Sequence, residues 1–161
     1  MTATRHRAGV VGVGYEGRDA EQFVHELLTA GVGVVVDVRL TPISRKRGFS
    51  KRALAENLEA AGIRYEHLRA LGNPKDNRAG FAGEDDERRA ALDRYSALLA
   101  DADAVAALDR VAELAVSDRV AVLCFEAHDH RCHRQLVLSH VDEQLSVIGT
   151  TSASGSTRRA H

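Results

Sequence analysis

The sequence predicts an α/β fold: a single three-layer domain whose mostly parallel sheet of about four or five strands carries helices on both faces. Short valine-rich runs alternate along the chain with amphipathic or alanine-rich segments of helical period. The run 32–38, VGVVVDV, is rich in β-branched residues with little alternation, as expected of a strand covered on both faces. A chain of 161 residues can bury the core of one such domain.

The first part of the chain predicts three strands separated by two helices. The strands are expected at 8–13, 32–38 and 63–68. A helix over 19–31 is indicated by apolar residues that share one helical face: Ala20, Phe23, Val24, Leu27 and Leu28. Asp19 and Gln22 resemble a capping box at its start, and a second helix is expected from Ser50 to Gly62.

The second part of the chain predicts a long loop followed by helices and a further strand. The glycine-rich stretch 72–83 is expected to be a loop, longer than a routine connection. The remaining elements are helices at 85–100, 102–116 and 132–145, a strand at 119–125 and a last short strand, SVIGT, at 146–150. The folded domain should therefore span 1–148, and the polar tail 149–161 should be disordered.

Composition narrows the class of protein without naming a reaction. The formal net charge of −1 identifies no partner, and the N-terminus lacks the apolar core of a secretory signal. No apolar run is long enough to span a bilayer, so no membrane partner is expected. Because the chain has only two cysteines, a disulfide scaffold is not expected and a cytoplasmic location is the default. No cofactor is indicated, and the oligomeric state is left open.

Positive charge is concentrated in one segment of the chain. Between Val38 and Ala55 there are six arginines or lysines and no acidic residue, whereas 84–118 is rich in aspartate and glutamate. This asymmetry predicts an electropositive face that favours an anionic ligand, although a solvated basic loop would have the same composition.

Three loops are expected to meet at the carboxyl edge of the sheet, where ligands of parallel α/β proteins bind. They are 12–18, 37–50 and 124–134, and they hold most of the polar chemistry of the chain. The first contains a literal G-x-G-x-x-G at Gly12, Gly14 and Gly17. Dinucleotide binding is disfavoured, because the capping pattern at Asp19 starts the helix after the third glycine.

The segment VLCFEAHDHRCHR (122–134) allows several kinds of site. Zinc ligation by Cys124, Cys132 and a histidine is disfavoured, because Cys132 and His133 would point about 100° apart at a helix start. A thiol site at Cys124 or Cys132, of sulfurtransferase or rhodanese type, stays open. Cys132 has the setting that favours a lower pKa, since arginines flank it and a helix begins there.

The favoured interpretation is an enzyme that binds an anionic substrate, phosphate-bearing and of the nucleotide or nucleic-acid-end type, for hydrolysis or transfer. Glu126, Asp37 and Cys124 are the candidate catalytic residues. The candidate anion-binding residues are Gly14, Tyr15, Arg18, Arg39, Ser44, Arg45, Lys46, Cys132, His133 and Arg134. Two further interpretations stay open: a non-catalytic nucleic-acid-binding module, and a buried network in which Asp37, Arg39, Glu126 and Arg134 pair only with one another.

Four motifs occur in order along the chain: GYEGR (14–18), DVRLTPIS (37–44), LGNP (71–74) and C-x-E-x5-C-H-R (124–134). Together they resemble the DUF488 family, small bacterial and archaeal proteins of unknown function, over roughly residues 9–145. The resemblance implies a compact α/β fold with an enzymatic pocket of unassigned activity, and it supplies no reaction.

Overall fold

A sheet of four parallel strands forms the centre of the computed structural model, which describes the backbone of residues 8–156 and the side chains of residues 8–148. The strands are β1 (Gly9–Gly14), β2 (Val34–Asp37), β3 (Arg64–His67) and β4 (Arg119–Cys124). The helices are α1 (Ala20–Thr29), α2 (Lys51–Ala60), α3 (Lys75–Phe81), α4 (Asp85–Leu98), α5 (Ala102–Ser117) and α6 (Arg134–Ser156). The strand order is β1-β4-β2-β3, which confirms the predicted α/β class.

Alternate residues of the inner strands face two separate apolar cores. Val34, Val36 and Val122 pack on the side covered by α4, α5 and α6. Val35 and Leu123 face the other side, where Phe23 of α1 and Leu58 of α2 complete a second core. Because successive side chains of a strand point to opposite faces, a continuous valine run fills both cores at once.

The register of the strands brings three carboxyl ends to one level. Gly14 of β1 lies beside Cys124 of β4, and Asp37 of β2 lies beside Leu123. The loops that leave β1, β4 and β2 therefore start side by side, as the sequence predicted.

Two stretches differ from the expectation. The predicted loop 72–83 contains α3, whose Gly80 lies so close to Ala91 of α4 that a side chain there would collide with it. Its glycines serve helix packing as well as turns. The predicted strand at 146–150 is wrong, because these residues are part of α6. No turn or loop separates them from the preceding helical residues, so the segment cannot reach a sheet edge.

Helix α6 also extends past residue 148, where the folded domain was expected to end, and is helical to Ser156. The remainder of the expected disordered tail, 157–161, lies outside the described residues. Among the described helices, none combines the length and apolar character that crossing a membrane requires.

Candidate active site at the carboxyl edge of the sheet

The three loops at the carboxyl edge are tied together by backbone contacts. The Glu16 N–H donates to the Phe125 carbonyl at 3.0 Å, and the Val38 N–H donates to the Leu123 carbonyl at 3.1 Å. Gly14 lies so close to the backbone of Glu126 that a side chain at this position would collide with its carbonyl. The loop after β4 therefore crosses directly over the end of β1.

Asp37 and Arg39 form a buried ion pair beside the end of β2. Nη2 of Arg39 lies 2.7 Å from Oδ2 of Asp37, and both side chains are almost inaccessible to solvent. The Tyr65 hydroxyl donates to the same carboxylate at 2.6 Å. Burial lowers the pKa of Arg39, but the hydrogen bond and the charge of Asp37 outweigh it, so the pKa is raised. Burial and the bond to Asp37 also raise the pKa of Tyr65.

Two side-chain hydrogen bonds hold the basic segment between β2 and α2 in place. Nη1 of Arg39 donates to the Phe49 carbonyl at 2.6 Å, and Nζ of Lys46 donates to the Tyr15 carbonyl at 3.1 Å. The Tyr15 ring stacks on Phe49 with centroids 4.5 Å apart, so it packs inside the protein. Lys46 is half-buried, whereas Arg45 is exposed.

Two thiols and an imidazole meet behind the end of β4. Nδ1 of His133 lies 3.5 Å from Sγ of Cys132 and 3.9 Å from Sγ of Cys124. Nε2 of the same ring lies 3.0 Å from the Val38 carbonyl. All three side chains are buried, and the three potential ligand atoms lie within 4.8 Å of one another.

The two cysteines have opposite acid–base character. A hydrogen bond from the Cys132 thiol, opposed by burial and aided by His133, lowers the pKa of Cys124 well below its usual value. Burial and the neighbouring Cys124 raise the pKa of Cys132. The sequence favoured Cys132 as the more acidic thiol, whereas its burial raises its pKa and the charge of Arg134 opposes this only in part. Burial and the charge of Cys124 raise the pKa of Glu126, whose Oε2 lies 3.4 Å from Sγ of Cys124.

A cavity of about 310 Å³ opens over these residues. It is lined by Tyr15, Arg39, Leu40, Thr41, Ile43, Ser44, Arg45, Asn73, Arg78, Cys124, Phe125, Glu126 and His133. A small extension reaches Cys132, Phe81 and Arg131. We call this cavity with its extension the carboxyl-edge cleft. Its walls hold several arginines and only one carboxylate, Glu126.

Arg134 lies outside the cleft wall, in the first turn of α6. Its side chain is completely buried, and its Nε lies 2.5 Å from the carboxylate of Asp129. Among the described residues, neither terminal guanidinium nitrogen has a hydrogen-bond partner. Asp129 in turn fits over Gly12, because any side chain on Gly12 would occupy its place. The network considered from the sequence paired Arg134 with Glu126 or Asp37. In the structure its partner is instead Asp129, five residues before it in the loop after β4.

The cleft unites eight of the thirteen residues proposed from the sequence. Those that line it are Tyr15, Arg39, Ser44, Arg45, Cys124, Glu126 and His133, with Cys132 at the extension. Those that do not line it are Gly14, Arg18, Asp37, Lys46 and Arg134. Arg18 instead pairs with Glu26 at 2.9 Å, and Asp37 is enclosed by Arg39 and Tyr65.

Three important residues of the wall were not proposed from the sequence: Asn73, Arg78 and Phe125. Asn73 belongs to the LGNP segment, so the motif pattern could have suggested it. It accepts from the Asn77 amide of α3 at 2.9 Å. Arg78 had no usable signal, because α3 was taken for a loop. Phe125 is 46% exposed and offers the cleft an apolar surface.

A larger groove, of about 720 Å³, lies between α5 and α6 and is more open to solvent. Its walls include Val116, His140 and Val147, and none of its residues belongs to the carboxyl-edge loops. The two thiols, His133 and Glu126 all lie at the smaller cleft, which is therefore the candidate active site.

The fold and the cleft define an α/β domain with a cysteine–histidine cluster at the carboxyl edge of a parallel sheet. The chain belongs to the DUF488 family, described as a domain of unknown function, whose sequence model matches residues 19–141. The match confirms the resemblance that the four motifs indicated. Neither the curated proteins nor the solved structures include a significant match.

Proposed function

We propose that the protein is an enzyme that binds an anionic, phosphate-bearing substrate in the carboxyl-edge cleft. The observation that carries the proposal is the state of two arginines in the wall. Within the described part of the chain, neither Arg45 nor Arg78 forms an ion pair, although both line the cleft. Arginines that face a cavity without a carboxylate partner are suited to bind an anion through parallel hydrogen bonds.

The remaining wall supports a substrate that is more than an inorganic ion. A volume of about 310 Å³ is at the lower end of the range for small-molecule sites. Phe125 and Ile43 provide exposed apolar surface beside the arginines, as a nucleobase or another planar group requires. A nucleotide or the end of a nucleic acid combines both features.

Glu126 is the candidate acid–base residue of this enzyme. It is the only carboxylate of the wall, it is half-buried, and its Oε2 lies beside Cys124 at the floor of the cleft. A carboxyl group held near the bound substrate can accept or donate a proton during hydrolysis or transfer.

The test is a comparison of anion affinities by calorimetry, with inorganic phosphate and a panel of nucleoside phosphates as probes. Arg45→Gln and Arg78→Gln should each weaken binding roughly tenfold, because each removes a charge-assisted hydrogen bond. Arg47→Gln is the matched control, since Arg47 is exposed in the same basic segment but does not line the cleft. Equal losses in all three variants would contradict a site at the cleft.

A second candidate is a thiol-based sulfurtransferase activity. It is favoured by the contact of 3.9 Å between Cys124 and the His133 ring at the floor of the cleft, with a second thiol beside them. If Cys124→Ser and Cys132→Ser retain anion binding and turn over the same substrate as the parent protein, this candidate is excluded. Sulfur transfer from thiosulfate that disappears in Cys124→Ser would establish it instead.

A further inference from the structure

The cysteine–histidine cluster has the composition of a metal site. Cys124 ends β4, while Cys132 and His133 directly precede α6. Two cysteine sulfurs and one histidine nitrogen are ligands that zinc prefers, and a set of three protein ligands is typical of zinc sites that keep one position open.

The distances within the cluster match those that a tetrahedral zinc ion imposes. With zinc–sulfur bonds of about 2.3 Å and zinc–nitrogen bonds of about 2.0 Å, a sulfur and a nitrogen ligand lie roughly 3.5 Å apart. The structure places Nδ1 of His133 at 3.5 Å from one sulfur and 3.9 Å from the other. Both separations lie within a few tenths of an ångström of that value, and all three ligand atoms lie within 4.8 Å of one another.

The surroundings hold the ligands in the form that binds a metal. Nε2 of His133 lies 3.0 Å from the Val38 carbonyl, which can only accept, so the ring proton is on Nε2 and Nδ1 keeps a free lone pair. The sulfurs of both cysteines lie within 4 Å of Nδ1, at 3.5 Å for Cys132 and 3.9 Å for Cys124, so this lone pair faces both thiols. The buried guanidinium of Arg134 adds positive charge nearby.

The sequence argument against a metal assumed that Cys132 and His133 both lie in a helix. In the structure α6 begins at Arg134, two residues later than predicted, and Cys132 has an extended backbone with φ −136°. The two side chains are therefore free of the 100° helical separation, and both point at Cys124.

We propose that Cys124, Cys132 and His133 bind one zinc ion, with a fourth coordination position that faces the carboxyl-edge cleft. Glu126 lies beside this position, since its carboxylate is 3.4 Å from Sγ of Cys124. The metal site stands on its own geometry. That the fourth position takes water for hydrolysis of the bound substrate rests on the function proposed above.

Zinc binding is tested on the full chain, reduced with a phosphine and stripped with a chelator, by calorimetry and native mass spectrometry. One equivalent of zinc should bind, and cobalt in its place should show thiolate-to-cobalt charge transfer and the strong absorption of a tetrahedral ion. Absence of a one-to-one complex would overturn the proposal, as would cobalt spectra without sulfur ligation. Stoichiometric iron or copper in freshly purified protein would overturn the choice of zinc.

Substitutions then locate the site. His133→Asn and Cys132→Ser should weaken zinc binding by more than about a hundredfold, whereas His130→Asn should leave it unchanged. His130 is an exposed histidine of the same loop and lies outside the cluster, so it is a matched control. If a cluster variant fails to fold, the cobalt spectrum of the parent protein still shows whether the metal has sulfur ligands.

Phosphate binding by the metal-free protein distinguishes the zinc proposal from the proposed function. Zinc binding without phosphate binding would contradict the proposed function, and phosphate binding without zinc binding would contradict the metal site.

Discussion

Asp37 is a catalytic candidate by its position in the sequence but a structural residue by its contacts. Its carboxylate is fully buried and accepts hydrogen bonds from Arg39 and Tyr65, which leaves it no access to the cleft. Arg39 in turn uses most of its donors on Asp37, Tyr15 and the Phe49 carbonyl. The pair therefore shapes the wall of the cleft and holds the basic segment in place.

Asp37→Asn should lower the free energy of unfolding by about 3–5 kcal/mol, because it leaves the buried Arg39 cation without its counter-charge. Urea denaturation followed by circular dichroism measures the change. Glu56→Gln is the control: it breaks an exposed pair with Arg52 and should cost less than about 0.5 kcal/mol. A loss of activity without a loss of stability in Asp37→Asn would instead assign Asp37 to the chemistry.

The Arg134–Asp129 pair should respond asymmetrically to substitution. Arg134→Met replaces a buried cation with an apolar chain and leaves Asp129 half-exposed to water, so stability should change by less than about 1 kcal/mol. Asp129→Asn leaves the cation buried and unpaired and should cost about 2 kcal/mol or more. Urea denaturation of both variants tests this, and a larger loss in Arg134→Met would show that its guanidinium has another partner.

The loops of the site depend on how closely the elements that carry them approach one another. The crossing of the loop after β4 over β1 is possible only because Gly14 has no side chain. The sequence suggested that glycines here admit a ligand, and the structure shows that Gly14 admits the protein's own backbone. A glycine in a motif indicates that another group approaches the backbone closely. It does not indicate whether that group is a ligand or the protein's own backbone, because glycine is needed in either case.

Gly14→Ala should destabilise the protein by roughly 1–3 kcal/mol or more through overpacking against Glu126. Gly62→Ala is the matched control, since Gly62 has φ +80° but no atom within 4 Å of an added side chain. It should cost only the backbone strain of about 1–2 kcal/mol and leave the cleft intact. The two variants are compared by urea denaturation and by phosphate affinity, which only Gly14→Ala should reduce.

The basic segment between β2 and α2 should become better protected when an anion binds. Its anchors are Lys46 and Arg39, whereas Arg45 is exposed and lines the cleft. Binding of inorganic phosphate should therefore slow amide hydrogen exchange across 41–50 and leave exchange in β4 unchanged. Equal exchange with and without saturating phosphate would contradict a role for this segment in binding.

Periodicity predicted the strands and most helices because their apolar residues fill the two cores directly. The valine runs of β2 and β4 and the apolar stripe of α1 carry this signal at the residue level. Helix α3 was missed because Gly80, which weakens a helix in isolation, is used for contact with α4. That Tyr15, Arg39 and Cys124 line one cleft was also predictable, because the strands before them were expected side by side with their carboxyl ends at one edge. The mutual distances of the cluster were not, since they depend on the residue at which α6 begins.

The two cores of the molecule share their strands, so we expect them to unfold together. Tyr15 lies in one core and Tyr95 in the other, and β2 and β4 contribute to both. Urea transitions of Tyr15→Phe and Tyr95→Phe, each followed by the fluorescence of the remaining tyrosines and by circular dichroism, should each give coincident midpoints. Separate midpoints for the two probes in either variant would show that one face can unfold alone.

Strand β4 lies between β1 and β2 but is the last of the four to leave the ribosome. Until it arrives, β1 and β2 have no neighbour in the gap and expose unpaired edges to other chains. The same strand brings Cys124, and the residues that follow it complete the cleft. A chain released early therefore lacks both the middle of its sheet and its cysteine–histidine cluster, so we expect a prematurely terminated product to aggregate.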